Sequence, residues 1–100
     1  MQAIDLTLTV ERPMPGAGTQ ILDTFEPRMR SVGFTPNGQG DVITYRPKFI
    51  GLVFVWMYRR LADEHVTLAF QQQGSSTEVR VTGKLRDRAY AEVNEAFGAS

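Results

Sequence analysis

The chain contains no cysteine. Disulfides, thiol catalysis and cysteine-ligated zinc or iron–sulfur clusters are thereby excluded. It carries one histidine, and a metal site needs three or four ligands, so no metal centre is recognisable. No sign of charge is in excess: Lys+Arg and Asp+Glu stand at 11 each. A generic binder of nucleic acid or of an anionic membrane usually shows a basic surplus. No apolar stretch approaches the roughly 20 residues of a transmembrane helix. The opening residues, Met-Gln-Ala-Ile-Asp, lack both the basic and the apolar region of a signal peptide. No GxGxxG pattern or Walker lysine is present to hold a cofactor phosphate. The expectation is a non-enzymatic, cytoplasmic chain without cofactor or metal.

What remains is the composition of an ordinary soluble domain: 100 residues, 42% apolar and 22% charged, enough for one domain with a modest core. Arginine outnumbers lysine nine to two, which points to a GC-rich, bacterial genome. The chain closes on Gly98-Ala99-Ser100 without a polar tail, an ending that suits either a complete chain or a domain cut from a longer one.

The distinctive feature is a ten-residue apolar run: Phe49, Ile50, Gly51, Leu52, Val53, Phe54, Val55, Trp56, Met57 and Tyr58. Arg46 and Lys48 precede it, Arg59 and Arg60 follow it, and it holds the only tryptophan. Pro47 interrupts the extended chain before it, since proline cannot donate to a ladder, so Phe49 and Ile50 are expected at a loop tip. Residues 52–60 then read as a strand apolar on both faces.

Around this run the periodicities are regular. Residues 2–10 alternate, with Ile4, Leu6, Leu8 and Val10 on one face, as in a half-buried strand. The loop from Pro13 to Gly18 follows. Residues 19–32 predict an amphipathic helix with Ile21, Leu22, Phe25, Met29 and Val32 in one stripe. Thr19 is its expected N-cap and Gly33 its stop. Pro27 predicts a kink or two short helices. Residues 34–40 read as a turn-rich connector and residues 41–46 as a strand. Residues 64–72 and 77–83 are two further strands joined by Gly74-Ser75, where glycine first suits a type II′ turn. That two-residue loop pairs Phe70 with Val79 and Leu68 with Val81, so the apolar faces coincide. Residues 86–97 predict a second helix, its stripe formed by Ala89, Tyr90, Val93, Ala96 and Phe97.

The fold class is therefore α+β, one five-stranded antiparallel sheet with two helices on one face, in the order β-α-β-β-β-β-α. That order resembles the TATA-binding-protein-like and helix-grip architectures, in topology alone. Which row of strand 52–60 faces the helices depends on the turn near Ala62. A loop of even length sends Val53, Val55 and Met57 inward; a three-residue loop sends Leu52, Phe54, Trp56 and Tyr58 inward. Burial energetics favour the aromatic row. Either way an apolar row is left on the outer face beside Thr67, Ala69 and Gln71, with Thr7 and Thr82 near.

The candidate chemistry is sparse. Asp63-Glu64-His65 is the one acid/base cluster, and it reads as a polar turn with a solvated histidine. Ser75 and Ser76 read as turn formers, and Gly16-Ala17-Gly18 as a connector. Arg46, Lys48, Arg59 and Arg60 around the run and Arg80, Lys84, Arg86 and Arg88 after it, interleaved with Tyr45, Phe49, Trp56 and Tyr58, suggest at most weak single-stranded nucleic-acid binding. Phe49 and Ile50 are a candidate peripheral membrane contact. The leading expectation is a non-catalytic interaction domain pairing with itself, as a homodimer, or with a protein partner through the open sheet face, residues 49, 50 and 52–58 being the candidate interface. The alternative is an apolar-ligand cavity among Phe25, Met29, Phe54 and Trp56.

Overall fold

The computed structural model describes residues 2–38, 40–47 and 64–98. Its elements are β1 (Gln2–Val10), α1 (Gly16–Ser31), β2 (Phe34–Asn37), β3 (Val42–Pro47), β4 (His65–Gln73), β5 (Ser76–Leu85) and α2 (Asp87–Val93), the last running on into a wide π-type turn, Asn94–Gly98. The five strands form one antiparallel sheet in the order β1-β5-β4-β3-β2. The element order is β-α-β-β-β-β-α, an α+β fold.

The hairpin of β4 and β5 has the expected register, with Phe70 opposite Val79 and Leu68 opposite Val81. Gly74 has φ +65° and Ser75 does not share a positive φ, which is the type II′ pattern. The Ser76 hydroxyl donates to the Gln73 carbonyl across the turn at 3.2 Å.

Strand alternation sends Ile4, Val79, Val81, Val66, Leu68, Phe70, Ile43 and Tyr45 to the inner face, where all are buried. Helix α1 contacts β2 and reaches β3 through Phe25, whose ring meets that of Tyr45 edge to face at 5.2 Å. Helix α2 contacts β1, β5 and α1, closing the other half. Arg28 on α1 bridges Glu92 at 3.3 Å and Glu95 at 3.0 Å, so an ion pair spans the two helices. Each fully buried large apolar side chain contributes roughly 1.5–3 kcal/mol.

Three sequence expectations are corrected. Helix α1 begins at Gly16, three residues early; Thr19 is not its N-cap, and its hydroxyl donates to the Pro15 carbonyl at 3.3 Å instead. Gly16, Ala17 and Gly18 are therefore its first turn rather than a connector. Ala17 and Gly18 are buried, and a Cβ at Gly18 would meet the Met14 methyl at 3.1 Å. Small residues are what let this turn seat against the loop. Of the two alternatives expected at Pro27, two short helices do not occur: α1 is one helix that passes through it. Pro27 and Asp23 are both exposed, so the carbonyl deprived of its partner lies on the wet side of the helix. Residues 34–37 of the expected connector form β2. A strand of four residues containing Pro36 is tolerated there because β2 is an edge among the described residues. The expected strand 52–60, and with it the choice of inward row, lies outside the described residues.

Gly83 has a role that sequence periodicity does not show. It sits in β5 between Ile4 of β1 and Val66 of β4. A Cβ there would run into the His65 carbonyl oxygen, so the close approach of β4 and β5 requires glycine.

Candidate functional site

The two helices lie on the inner face, which leaves the outer face of the sheet to be read row by row. One row runs Asp5, Thr82, Thr67, Thr44, Asn37 across all five strands. The next runs Thr7, Arg80, Ala69, Val42. Thr82, Thr67, Thr44, Ala69 and Val42 thus form an uncharged patch over three strands. Val42 is the one exposed large apolar side chain among the described residues. Thr44 and Thr67 hydroxyls are hydrogen-bonded to each other at 3.1 Å. Hydroxyls satisfied inside the face lower the cost of taking it out of water.

Charges frame this patch. Arg80 reaches Asp5 at 3.5 Å. Lys84 stands opposite His65, and Arg46 opposite Thr35 on the β2 side. Thr67, Ala69, Gln71, Thr7 and Thr82 all lie on this outer face, where their parity in the sequence puts them. The candidate interface residues 49, 50 and 52–58 lie outside the described residues.

The acid/base cluster is split by the strand. His65 belongs to the outer face, opposite Lys84. Glu64, expected in a solvated turn, is 6% exposed and accepts the Arg86 N–H at 2.9 Å. Arg86 is the N-cap residue of α2, so the carboxylate occupies the positive end of that helix and satisfies one of its donors. That is a structural role for Glu64, legible only once β4 and α2 are brought together. Asp63 lies outside the described residues. Of the basic residues, Arg80 is engaged with Asp5, while Arg86 and Arg88 line a cleft with Glu64 and Phe34 at the junction of the two helices. They do not join Arg80 and Lys84 on one stripe.

For the cavity reading, Phe25 and Met29 are fully buried, and the Phe25 ring also stacks at 4.8 Å on Phe97. Phe54 and Trp56 lie outside the described residues. An apolar groove formed by described residues lies at the start of α1, lined by Met14, Leu22, Ile43 and Phe70. Tyr45 is buried in the core with its hydroxyl unpartnered. Burial pushes its pKa up to about 12, helped by the Glu26 carboxylate and partly opposed by Arg30. No group of three or more metal-binding side chains occurs among the described residues. No helix among them is long and apolar enough to cross a membrane.

Compared with known proteins, the chain matches no family model, no curated protein and no solved structure. Its class is that of an α+β domain with one helix-covered and one uncovered sheet face among the described residues.

Proposed function

We propose that this is a non-catalytic interaction domain, cytoplasmic, whose outer sheet face pairs with a second copy or a protein partner. The observation that carries the reading is the uncharged patch of Thr82, Thr67, Thr44, Ala69 and Val42 framed by Asp5, Arg80, Lys84 and Arg46. Interfaces are depleted of charge at the centre and polar at the rim. The connection from β3 to β4 supports it from the sequence. These strands are antiparallel neighbours, which two to five residues suffice to join. Residues 48–63 lie between them in the chain and include the apolar run, and a contiguous apolar surface of that kind, where exposed, marks an interaction site. Leu52, Phe54, Trp56 and Tyr58, or their alternates Val53, Val55 and Met57, are therefore proposed as partner contacts.

Ala69→Glu tests the self-pairing form. It places a carboxylate at the centre of the patch, between Arg80 and Val42. Light scattering at micromolar concentration is expected to give a mass above the 11.2 kDa of one chain, lowered by this substitution. A mass that Ala69→Glu leaves unchanged overturns self-pairing through the face.

A further inference from the structure

We infer that β1 is a second, independent interaction surface, and that it pairs antiparallel with β1 of a second copy about a two-fold axis at Leu6. Among the described residues β1 has a neighbour on one side only, β5. It is nine residues long, contains no proline, and pairs with β5 in unbroken register from Gln2 to Val10. Such a strand presents a row of unpaired N–H and C=O groups to whatever can add to it. Its only formal charge is Asp5. Its inner-face residues Leu6 and Leu8 are only half-buried, although Val81 and Val79 opposite them are fully buried. The core is thus uncovered along this edge at two leucines.

Three constraints select the occupant and its register. The first is parity. In an antiparallel pair alternate residues direct their backbone groups at the partner, and alternate side chains share a face. A two-fold axis through a residue matches even positions with even and odd with odd, so the helix-covered faces of both copies fall on the same side. The second is extent. An axis at Leu6 pairs all of Gln2–Val10 with itself, whereas an axis at Thr7 leaves Gln2 and Ala3 unpaired. The third is charge. An axis at Asp5 sets two carboxylates against each other. An axis at Thr7 sets Asp5 against the second copy's Thr9, in line with its Glu78. An axis at Leu6 sets Asp5 against the second copy's Thr7, in line with its Arg80. That last arrangement places opposite charges two strands apart, roughly 9–10 Å between backbones, within reach of an arginine side chain. It also sets Leu6 against Leu6 and Leu8 against Ile4, covering both half-buried leucines. The product is a continuous ten-stranded sheet with an isologous interface. One strand per copy places it at the small end of specific interfaces, so association is expected in the micromolar range.

The test separates this surface from the outer face. In the Ala69→Glu protein, light scattering is expected to give twice the 11.2 kDa of one chain. Adding Thr7→Asp, which sets two acidic pairs across the axis, is expected to weaken the dimer at least about tenfold. Thr7→Val in the same background leaves it intact. Because the chain has no thiol of its own, Leu6→Cys is expected to form an intermolecular disulfide on oxidation, while Thr9→Cys, set against Ala3, is not. Circular dichroism confirms that each variant is folded. A monomer in the Ala69→Glu protein throughout the micromolar range overturns the inference. So does a dimer indifferent to Thr7→Asp, or one cross-linked by Thr9→Cys and not by Leu6→Cys.

Discussion

Among the described residues the sheet has two edges, and they are built differently. Edge β2 is four residues long, carries Pro36, and ends in Asn37 before Gly38, whose φ is +111°. A short strand with a proline offers few unpaired donors, which is how sheets avoid pairing with one another. Edge β1 has nine residues, no proline and one charge. Its inner side chains Leu6 and Leu8 are half-buried, while Phe34 of β2 is buried and Pro36 exposed. The β1 side therefore leaves two leucines half-covered where the β2 side leaves only a proline. The lesson is that openness in this domain is local: one edge is short and interrupted by proline, and the other has the length and pattern to accept a strand.

The largest expected effect breaks the β1 half altogether. Gly83→Ala drives a Cβ into the His65 carbonyl and separates β5, with β1 attached, from β4. A loss of about 3–5 kcal/mol in urea unfolding is expected. A pair of leucine truncations then measures the contrast itself. Leu68→Ala, in the fully buried centre, is expected to cost about 3 kcal/mol and Leu6→Ala, half-buried at the edge, about 1 kcal/mol in dilute protein. If β1 pairs with a second copy, the cost of Leu6→Ala rises with protein concentration and that of Leu68→Ala does not. Equal and concentration-independent costs would erase the distinction between the buried centre and the half-covered edge.

The smallest effect sharpens the β2 side. Tyr45→Phe removes a buried hydroxyl that has no partner, so unfolding is expected to be unchanged or up to about 1 kcal/mol more favourable to the native state. Its pH signature has a definite sign. The Tyr45 phenol titrates near 10 when unfolded and at about 12 in the fold. Its contribution is therefore complete below pH 10 and is lost as pH rises from 10 through 12, because the unfolded chain releases the proton first. Tyr45→Phe is expected to flatten that alkaline decline. A variant as alkali-sensitive as the parent places the decline elsewhere.

What was legible in the sequence follows the range of the forces involved. The β4–β5 hairpin was legible to the residue, because Gly74-Ser75 and the flanking alternation act within a dozen residues. The outer-face positions of Thr67, Ala69 and Thr82 followed from the same parity. Strand β2 was not legible. Four residues with a proline have no period, and they are a strand only because β3 lies beside them. The burial of Glu64 was not legible because its partner, the Arg86 N–H, is 22 residues away. The Asp5–Arg80 contact spans 75 residues and depends on β1 lying against β5. The start of α1 was missed because Thr19 matched a capping preference that the buried small residues before it override.

The sequence by itself determined the α+β class, the apolar stripe of each helix and the face of each residue in β1, β4 and β5. These depend on spacing of 2.0 or 3.6 residues and on turn chemistry, which a chain carries locally. Only the tertiary structure decided which strands became edges, and that depends on how distant segments compete for the same neighbours. Strand β1 chose β5, and β2 filled the far side of β3. From that choice came one blunted edge, one open edge, and an uncharged outer patch between them.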